Sequence, residues 1–383
     1  MVNSNIAEKT VYYLGYYDPD GYENYYNLAA KNKMNYIIRV LNELGFKVDV
    51  LSASHVFVPL KKIIKKEIIN SGKNTKVQYF NYFAGNNIFI KIFDTLFINF
   101  QIFVFLFLKI KANQTLIVYH NTRYSFLVKL LKRIKKINLV IEVEEIYADV
   151  VKSIFSRKSE YNLFNLADKF IFSTELLENQ VNHNKKPYAI VYGNYNIEKQ
   201  LVKNVEINTN KIDIVYAGNL DPRKGVELAI NTGVHLSPDY HIHILGGGSE
   251  ERIKELEDQI MNQKTESSAL VTYDGVKTGD DFLRSLQSCK IGLCTQTPVA
   301  GFTQTSFPSK VLTYLVNGLR VVSVKIDSLY KSKISNELSF YELNSPIEVA
   351  KVIKSIDLNK KYDSRSIIKQ LDLNFKKDLE RLI

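Results

Sequence analysis

The sequence predicts an α/β protein built from two parallel-sheet domains in tandem, and three observations carry that prediction. Short apolar runs rich in β-branched and aromatic residues alternate with amphipathic helical segments along most of the chain. The alternation lapses over residues 193–211 into Asn, Lys and Glu with little periodicity, which marks an interdomain linker. The length of 383 residues leaves room for two or three domains, each with its own core.

The elements follow in order. The first unit reads as a strand at residues 11–15, a polar loop and a helix in which Ala30, Met34, Ile37, Leu41 and Leu44 recur on one face. Gly45 stands where a helix C-cap belongs, and Phe46, Val48 and Val50 then alternate as a strand does. Further strands are expected at 116–120, 137–143, 169–173 and 188–192. A second series is expected at 212–217, 241–245, 270–273, 290–294 and 320–324, with helices between. Ser345, Pro346, Ile347 and Glu348 have the form of a capping box with Pro at the first helical position.

This divides the chain into an N-terminal Rossmann-like domain (1–200), a C-terminal one (201–360) and a helical segment (361–383) packing back on the first. Ligands of open α/β sheets bind at the carboxyl ends of the strands. The expected architecture is therefore two Rossmann-like domains facing across a cleft that holds the site.

An apolar fraction of 45% and a charged fraction of 24% exclude wholesale disorder and a coiled coil. The two cysteines, Cys289 and Cys294, cannot form a disulfide framework, and no CxxC or Cys/His cluster suggests a metal. The opening residues lack a basic region followed by an apolar one, so no secretory leader is expected and a cytoplasmic location is. The longest uncharged apolar stretch, 95–108, is shorter than the roughly 18–20 residues of a membrane-spanning helix, so no bilayer crossing is expected.

Of the formal charge of +11, residues 51–140 alone carry +13 and the remainder sums to −2. Such a patch suits an anionic partner, nucleic acid or lipid, and is also compatible with a solvated lysine-rich face.

The nucleotide signatures with fixed spacing are absent. There is no GxxxxGK[ST], and Gly246-Gly247-Gly248 lacks the GxGxxG spacing, which disfavours a P-loop ATPase and a dinucleotide-dependent oxidoreductase. A GxSxG elbow is missing too. Two loops of the second series remain. Residues 218–225, GNLDPRKG, follow a strand and open a helix, so Arg223, Lys224 and free backbone amides can face a phosphate; a solvated turn is the equal alternative. Residues 295–307 form a long connection that ends in Ser306, Phe307, Pro308, Ser309 and Lys310, with Pro308 suited to the first helical position. A second anion site at that helix start is plausible by composition, and so are simple capping serines.

Together, 215–230 (VYAGNLDPRKGVELAI), 243–248 (HILGGG), 273–276 (YDGV) and 307–322 (FPSKVLTYLVNGLRVV) resemble successive blocks of glycosyltransferase family 4, in order and at family-like spacing. The likeness is specific over residues 211–324 and looser before them. It implies the GT-B fold, a sugar-nucleotide donor on the C-terminal domain, an acceptor on the N-terminal domain, and transfer with retention, without an obligatory metal or resident cofactor. Residue by residue it implies that Lys224 faces the diphosphate, that Asn219 after Gly218 replaces the family's arginine with Arg223 as compensation, and that Gly275 and Val276 lie near the base. Gly246, Ser306, Ser309 and Lys310 join this donor set. His120, ending an apolar strand, matches the histidine beside the donor sugar and, with Lys224, is the catalytic expectation. The family's two glutamates, eight positions apart, correspond to Thr305 and Thr313, hydroxyls with less acceptor capacity than a carboxylate.

In the N-terminal half, Glu142, Glu144 and Glu145 form an acidic group in a basic domain, and Glu144 and Glu145 are expected at the acceptor. The apolar residues 88–110 read as a core helix. Lys61, Lys62, Lys65 and Lys66, and the basic run 129–136, set cations around apolar residues at helical spacing, which suits docking on an anionic leaflet. The functional expectation is a peripheral enzyme at the inner face of the membrane, passing a sugar to a lipid-linked saccharide in bacterial surface polysaccharide synthesis. The alternative is a noncatalytic GT-B scaffold of a polysaccharide-assembly complex, consistent with Thr305 and Thr313. Specific nucleic-acid binding lacks any recognisable module.

Overall fold

Strands of a parallel sheet are covered by helices on both faces, so they read as continuous apolar runs rather than alternating ones. The computed structural model describes residues 9–18, 28–53, 63–64, 68–70, 74–83, 87–148, 154–202, 211–297 and 305–383; the predicted strands appear in it, the central ones almost wholly buried and those at 188–190 and 270–275 only partly so. The chain divides into two units, Met1–Asn194 with Asn374–Ile383, and Tyr195–Leu373.

The first unit contains β1 (Thr10–Gly15), β2 (Lys47–Ser52), β3 (Ile63–Ile64), β4 (Ile68–Asn70), β5 (Thr75–Gln78), β6 (Tyr82–Phe83), β7 (Thr115–Tyr119), β8 (Asn138–Val143), β9 (Lys169–Phe172) and β10 (Tyr188–Ile190). Its main sheet runs β10-β9-β8-β7-β1-β2-β5-β4, with β4 antiparallel to β5 and every other pairing parallel. The second unit contains β11 (Ile212–Ala217), β12 (Tyr240–Leu245), β13 (Leu270–Gly275), β14 (Ile291–Cys294), β15 (Arg320–Val324) and β16 (Leu338–Tyr341). These form a wholly parallel sheet in the order β13-β12-β11-β14-β15-β16. In both sheets the order reverses beside an early strand, the arrangement that opens a ligand crevice in doubly wound folds.

The helix Leu28–Glu43 follows β1, and its Met34, Ile37 and Leu41 are buried as their spacing requires. Three features depart from expectation. First, β3, β4, β5, β6 and β16 are additional to the expected strands. Second, Ser345 caps the helix Pro346–Ser355 by position, yet its hydroxyl makes no capping bond, and Glu348 pairs with Lys351 at 2.6 Å rather than reaching back. Third, the apolar segment 88–110 is one helix, Ile88–Lys109, into which Lys91 and Asp94 are absorbed. It is 22 residues long, and among the described residues it alone has the length and composition to cross a membrane.

That helix is not enclosed as a core helix would be. Ile98, Ile102 and Leu106, four residues apart, are buried in the core with Leu127 and Leu131, and the Asp94 carboxylate accepts the Phe83 amide at 2.6 Å. Phe103 and Phe105 flank that row half-buried, and much of the outer face is apolar and exposed: Phe89 is 75% accessible, Leu96 64%, Phe100 63% and Leu108 70%. Single exposed apolar side chains are ordinary, whereas a contiguous face of them marks a surface that something covers.

In the second unit, Gly292 on β14 lets the ring of Tyr314, on the helix Ser309–Val316, lie directly on the sheet. The buried Tyr314 hydroxyl accepts the Ala217 amide at 2.8 Å and donates to the Leu293 carbonyl at 3.1 Å, bridging the ends of β11 and β14. A Cβ at position 292 would overlap that ring. Gly292→Ala is expected to cost at least about 2 kcal/mol through overpacking; thermal or urea unfolding would register it, and an unchanged midpoint would show that the ring has room to move.

Candidate functional site

The loops that leave the carboxyl ends of β11, β12 and β13 are braced against one another by their backbones. The Gly218 amide donates to Leu245 at 2.9 Å, Leu220 to Gly247 at 3.2 Å and Gly246 to Gly275 at 3.0 Å, while the Tyr273 hydroxyl donates to Gly246 at 2.9 Å. Glycine at 246 is needed for this approach, since a Cβ there would overlap the Gly218 carbonyl. The Gly218–Gly225 loop is held further by Arg252, whose Nε donates to the Leu220 carbonyl at 2.9 Å and whose guanidinium also pairs with Glu227.

Within this frame the predicted cations take different positions. Arg223 is 72% exposed and forks onto its own turn, with Nε 3.0 Å and Nη2 2.6 Å from the Asp221 carboxylate. That pairing holds the Asp221 carboxyl down at about 2. The donors of Arg223, expected to compensate at the diphosphate, are here taken by the Asp at the start of the same short 3-10 turn. Lys224 is half-buried at the end of that turn. Asn219 is exposed and its side-chain oxygen accepts the Asp221 amide at 2.8 Å, a turn-forming bond.

Lys310 has the most unusual environment. Its ammonium nitrogen is inaccessible, has no hydrogen-bond partner, and sits 3.5 Å from the centre of the Tyr216 ring. Its side chain lies against Gly218, where any Cβ would overlap it. Burial, with the nearby Lys224 charge adding to it, pushes the Lys310 ammonium down to about 7. An unpaired buried cation is costly unless a counter-charge arrives. Its position is set from below by Tyr314, one turn further along the same helix. Helical structure begins at Ser309 with Pro308 as the capping residue, one position later than the spacing suggested. Ser309 is exposed, Ser306 and Thr305 are half-buried, and the Thr313 hydroxyl turns back to the Ser309 carbonyl at 3.1 Å. Gly275 ends β13 and Val276 beyond it is 67% exposed.

The structure therefore gathers Gly218, Lys224, Gly246, Gly275 and Lys310 around the strand ends and sets Arg223 aside. Tyr216 and Tyr314, which build the Lys310 environment, escaped the sequence reading because nothing in their spacing pairs a strand tyrosine with a helix lysine.

In the first unit, His120 follows β7 and is completely buried. Its ring stacks on Tyr147, with centroids 4.8 Å apart, and packs against Phe164 at the same distance. Nε2 is 3.1 Å from Glu160 but not aligned as a hydrogen bond, and Glu160 itself accepts the Tyr147 and Ala148 amides. The ring of His120, the expected catalytic histidine, is enclosed among aromatic faces. The Glu142 carboxyl at the end of β8 is also buried, accepts the Tyr13 hydroxyl, and is pushed upward by burial and by Glu144. Glu144 pairs with Lys33 of the Leu28–Glu43 helix, so that half of the expected acceptor pair is engaged internally; Glu145 is half-buried. The clusters Lys61/Lys62 and Lys65/Lys66 and the loop segments 19–27 and 298–304 lie outside the described residues.

No family model matches the chain, and no curated protein matches it in sequence. Solved structures match it over almost its whole length. Alr3699/HepE of Anabaena, in complex with UDP, is 13% identical with a TM-score of 0.67, covering 97% of this chain and 98% of its own. A structure of trehalose-6-phosphate from E. coli bound with UDP-2-fluoro glucose is 10% identical with a TM-score of 0.66, covering 98% and 100%. The α,α-trehalose 6-phosphate synthase of Burkholderia multivorans is 9% identical with a TM-score of 0.62, covering 97% and 93%. The likeness establishes the fold: two parallel-sheet α/β domains of the GT-B type, as the sequence predicted.

The Lys310 environment gives a signed prediction. The unfolded lysine titrates near its ordinary 10.5 and the folded one near 7, so the folded state binds fewer protons and stability rises with pH across that interval. Lys310→Met removes the buried charge. The variant should unfold at a higher temperature than the wild type at pH 6, and the difference should shrink as pH rises above about 7. A pH-independent difference would remove the buried charge as its cause.

Proposed function

We propose that this chain is a retaining glycosyltransferase of the family-4 type, which moves a sugar from a nucleotide-sugar donor to a lipid-linked saccharide at the inner face of the membrane in surface polysaccharide synthesis. The observation that carries the proposal is the unpaired Lys310 ammonium, held against Gly218 among the loops at the strand ends. A nucleoside diphosphate supplies the counter-charge this lysine lacks. The matched structures hold UDP, UDP-glucose or UDP-2-fluoro glucose, which supports UDP-glucose as the first donor to test.

On this reading the donor diphosphate sits against Lys310 and Lys224, with the exposed backbone of the Gly218–Gly225 and Gly246–Gly248 loops around it. As the anomeric carbon–oxygen bond breaks, negative charge grows on the departing diphosphate, and cations already in place lower the barrier without reorganising. The neighbourhood of Gly275 and Val276 is assigned to the base. Glu144 and Glu145, at the carboxyl end of β8, are assigned to acceptor hydroxyls, and His120 to packing beneath them. No metal or resident cofactor enters this transfer.

Diphosphate binding should restore Lys310 to an ordinary lysine, so the complex holds more protons than the free protein above about pH 7. Calorimetry of UDP-glucose binding in buffers of different ionisation enthalpy is expected to report uptake of about one proton well above that pH and almost none well below it, with uptake absent in Lys310→Met. Absence of heat and of thermal stabilisation by UDP-glucose, and by the corresponding GDP, ADP and CMP sugars, in folded protein would favour the noncatalytic scaffold instead.

Membrane docking is proposed through the helix Ile88–Lys109 and its neighbour Ser125–Ile134. Lys135 ties the two together, donating to the Phe107 and Ile110 carbonyls, and Phe126 and Ile134 add 78% and 51% exposed apolar groups to the same region. Lys129, Arg133 and Lys136 stand among them. Apolar groups entering the interface and cations meeting anionic headgroups, each worth about 1 kcal/mol, suffice for peripheral attachment. Phe93→Asp with Phe100→Asp should cut co-sedimentation with phosphatidylglycerol vesicles several-fold, and Lys129→Glu with Arg133→Glu should weaken it and lower its salt sensitivity. Wild-type sedimentation in both pairs would remove this face from the docking surface.

A further inference from the structure

A second cluster of titratable groups lies on one face of the sheet of the second unit, back from the strand ends. Asp213 on β11 is the ladder partner of His241 on β12, and His243, two residues on, points to the same face. The ring nitrogens Nδ1 of His241 and Nε2 of His243 converge on one oxygen of Asp213, at 3.5 and 3.1 Å. The donor atoms of all three residues lie within 4.8 Å of one another. Asp213 is buried, and the two imidazoles are 17% and 22% exposed.

The remaining ring nitrogens are committed elsewhere. His241 Nε2 is 3.0 Å from the Thr272 hydroxyl and His243 Nδ1 is 2.7 Å from the Asp274 carboxylate, both on β13. A ligating histidine has this form: one nitrogen faces the metal while the other donates to an oxygen that fixes tautomer and ring orientation. The β12–β13 ladder supports it. Its register shifts between Ile244 and Leu245, which pair with Tyr273 and Gly275, so Asp274 is the extra residue of a bulge. Bulges re-aim a side chain beside a functional site, and this one brings a carboxylate to His243.

We propose that Asp213, His241 and His243 bind a divalent transition metal, zinc foremost, with Asp274 and Thr272 as orienting groups. Two imidazoles and a carboxylate are the donor set zinc takes, and tetrahedral zinc with bonds of about 2.0–2.1 Å separates its ligands by roughly 3.3 Å, between the two distances found here. The exposed side of the imidazoles leaves the fourth position to water. The metal cross-links β11 and β12, the strands whose ends carry Gly218 and Gly246. His243 lies three residues before Gly246, roughly 10 Å along the strand, so the ion stiffens the base of the loops and takes no part in transfer. The proposal is independent of the donor chemistry.

The test uses the full chain without a histidine tag, stripped with chelator and titrated with zinc and separately with cobalt(II). One equivalent should bind, cobalt should develop the visible bands of a low-coordinate nitrogen–oxygen site, and zinc should raise the unfolding temperature. His241→Asn with His243→Gln should abolish all three responses, Asp274→Asn should weaken binding about 10- to 100-fold, and the exposed His235→Asn should leave it intact. Failure of the wild type to bind micromolar zinc or cobalt, or full binding by the double variant, would overturn the site. Should the double variant not fold, His241→Asn alone serves, with the same two outcomes.

Discussion

The ring of Tyr314 on Gly292, with its hydroxyl shared between Ala217 and Leu293, sets the geometry on which the second unit's chemistry depends. It fixes the helix Ser309–Val316 against the ends of β11 and β14, and so fixes the first turn of that helix over Tyr216. Lys310 then has nowhere to extend except across the Tyr216 ring and against Gly218. A lysine on a solvated helix would relax into water; this one is kept in a place that disfavours its charge. The favourable packing of a buried tyrosine thereby offsets an unfavourable placement of a cation.

Much of the fold was legible because parallel strands are written in unbroken apolar runs. Residues 212–217 and 320–324 could be read as strands without knowledge of their neighbours, and Met34, Ile37 and Leu41 announced a helix face by spacing alone. The strand Thr75–Gln78 was not legible, since two of its four residues are polar and one is lysine; pairing with β2 makes it a strand, and pairing is not local information. The site was legible in its glycines and in Lys224 and Lys310, which stand at strand ends and a helix start. The pairing of Arg223 was not legible, because spacing does not show that Asp221, two residues away, takes the guanidinium. The cluster of Asp213, His241 and His243 was invisible for a related reason: the two histidines are two residues apart in one strand, but Asp213 and Asp274 join them only through the ladder.

Composition was also mute on direction. The segment 88–110 is apolar enough for a core, and a core helix was the expected outcome. Its packed face is the row Ile98, Ile102 and Leu106, flanked by the half-buried Phe103 and Phe105, with Asp94 serving a backbone amide. Phe89, Phe93, Phe100 and Phe107 face outward. The basic bias of residues 51–140 and this apolar face occupy the same unit, whereas the buried, unpaired Lys310 lies in the second.

The division of the chain at Asn374 bears on the order in which its parts can be completed. The helix Ser364–Leu382 begins in the second unit, where Arg365 donates to the Asn317 carbonyl, and ends in the first, where Phe375 packs on Tyr36, Lys376 pairs with Glu43 and Lys169 bonds the Leu382 carbonyl. During synthesis the second unit has all its residues before the first has received Phe375 and Leu379. The half that leaves the ribosome first is therefore the half that finishes last, waiting with part of its hydrophobic surface uncovered until the chain returns to it.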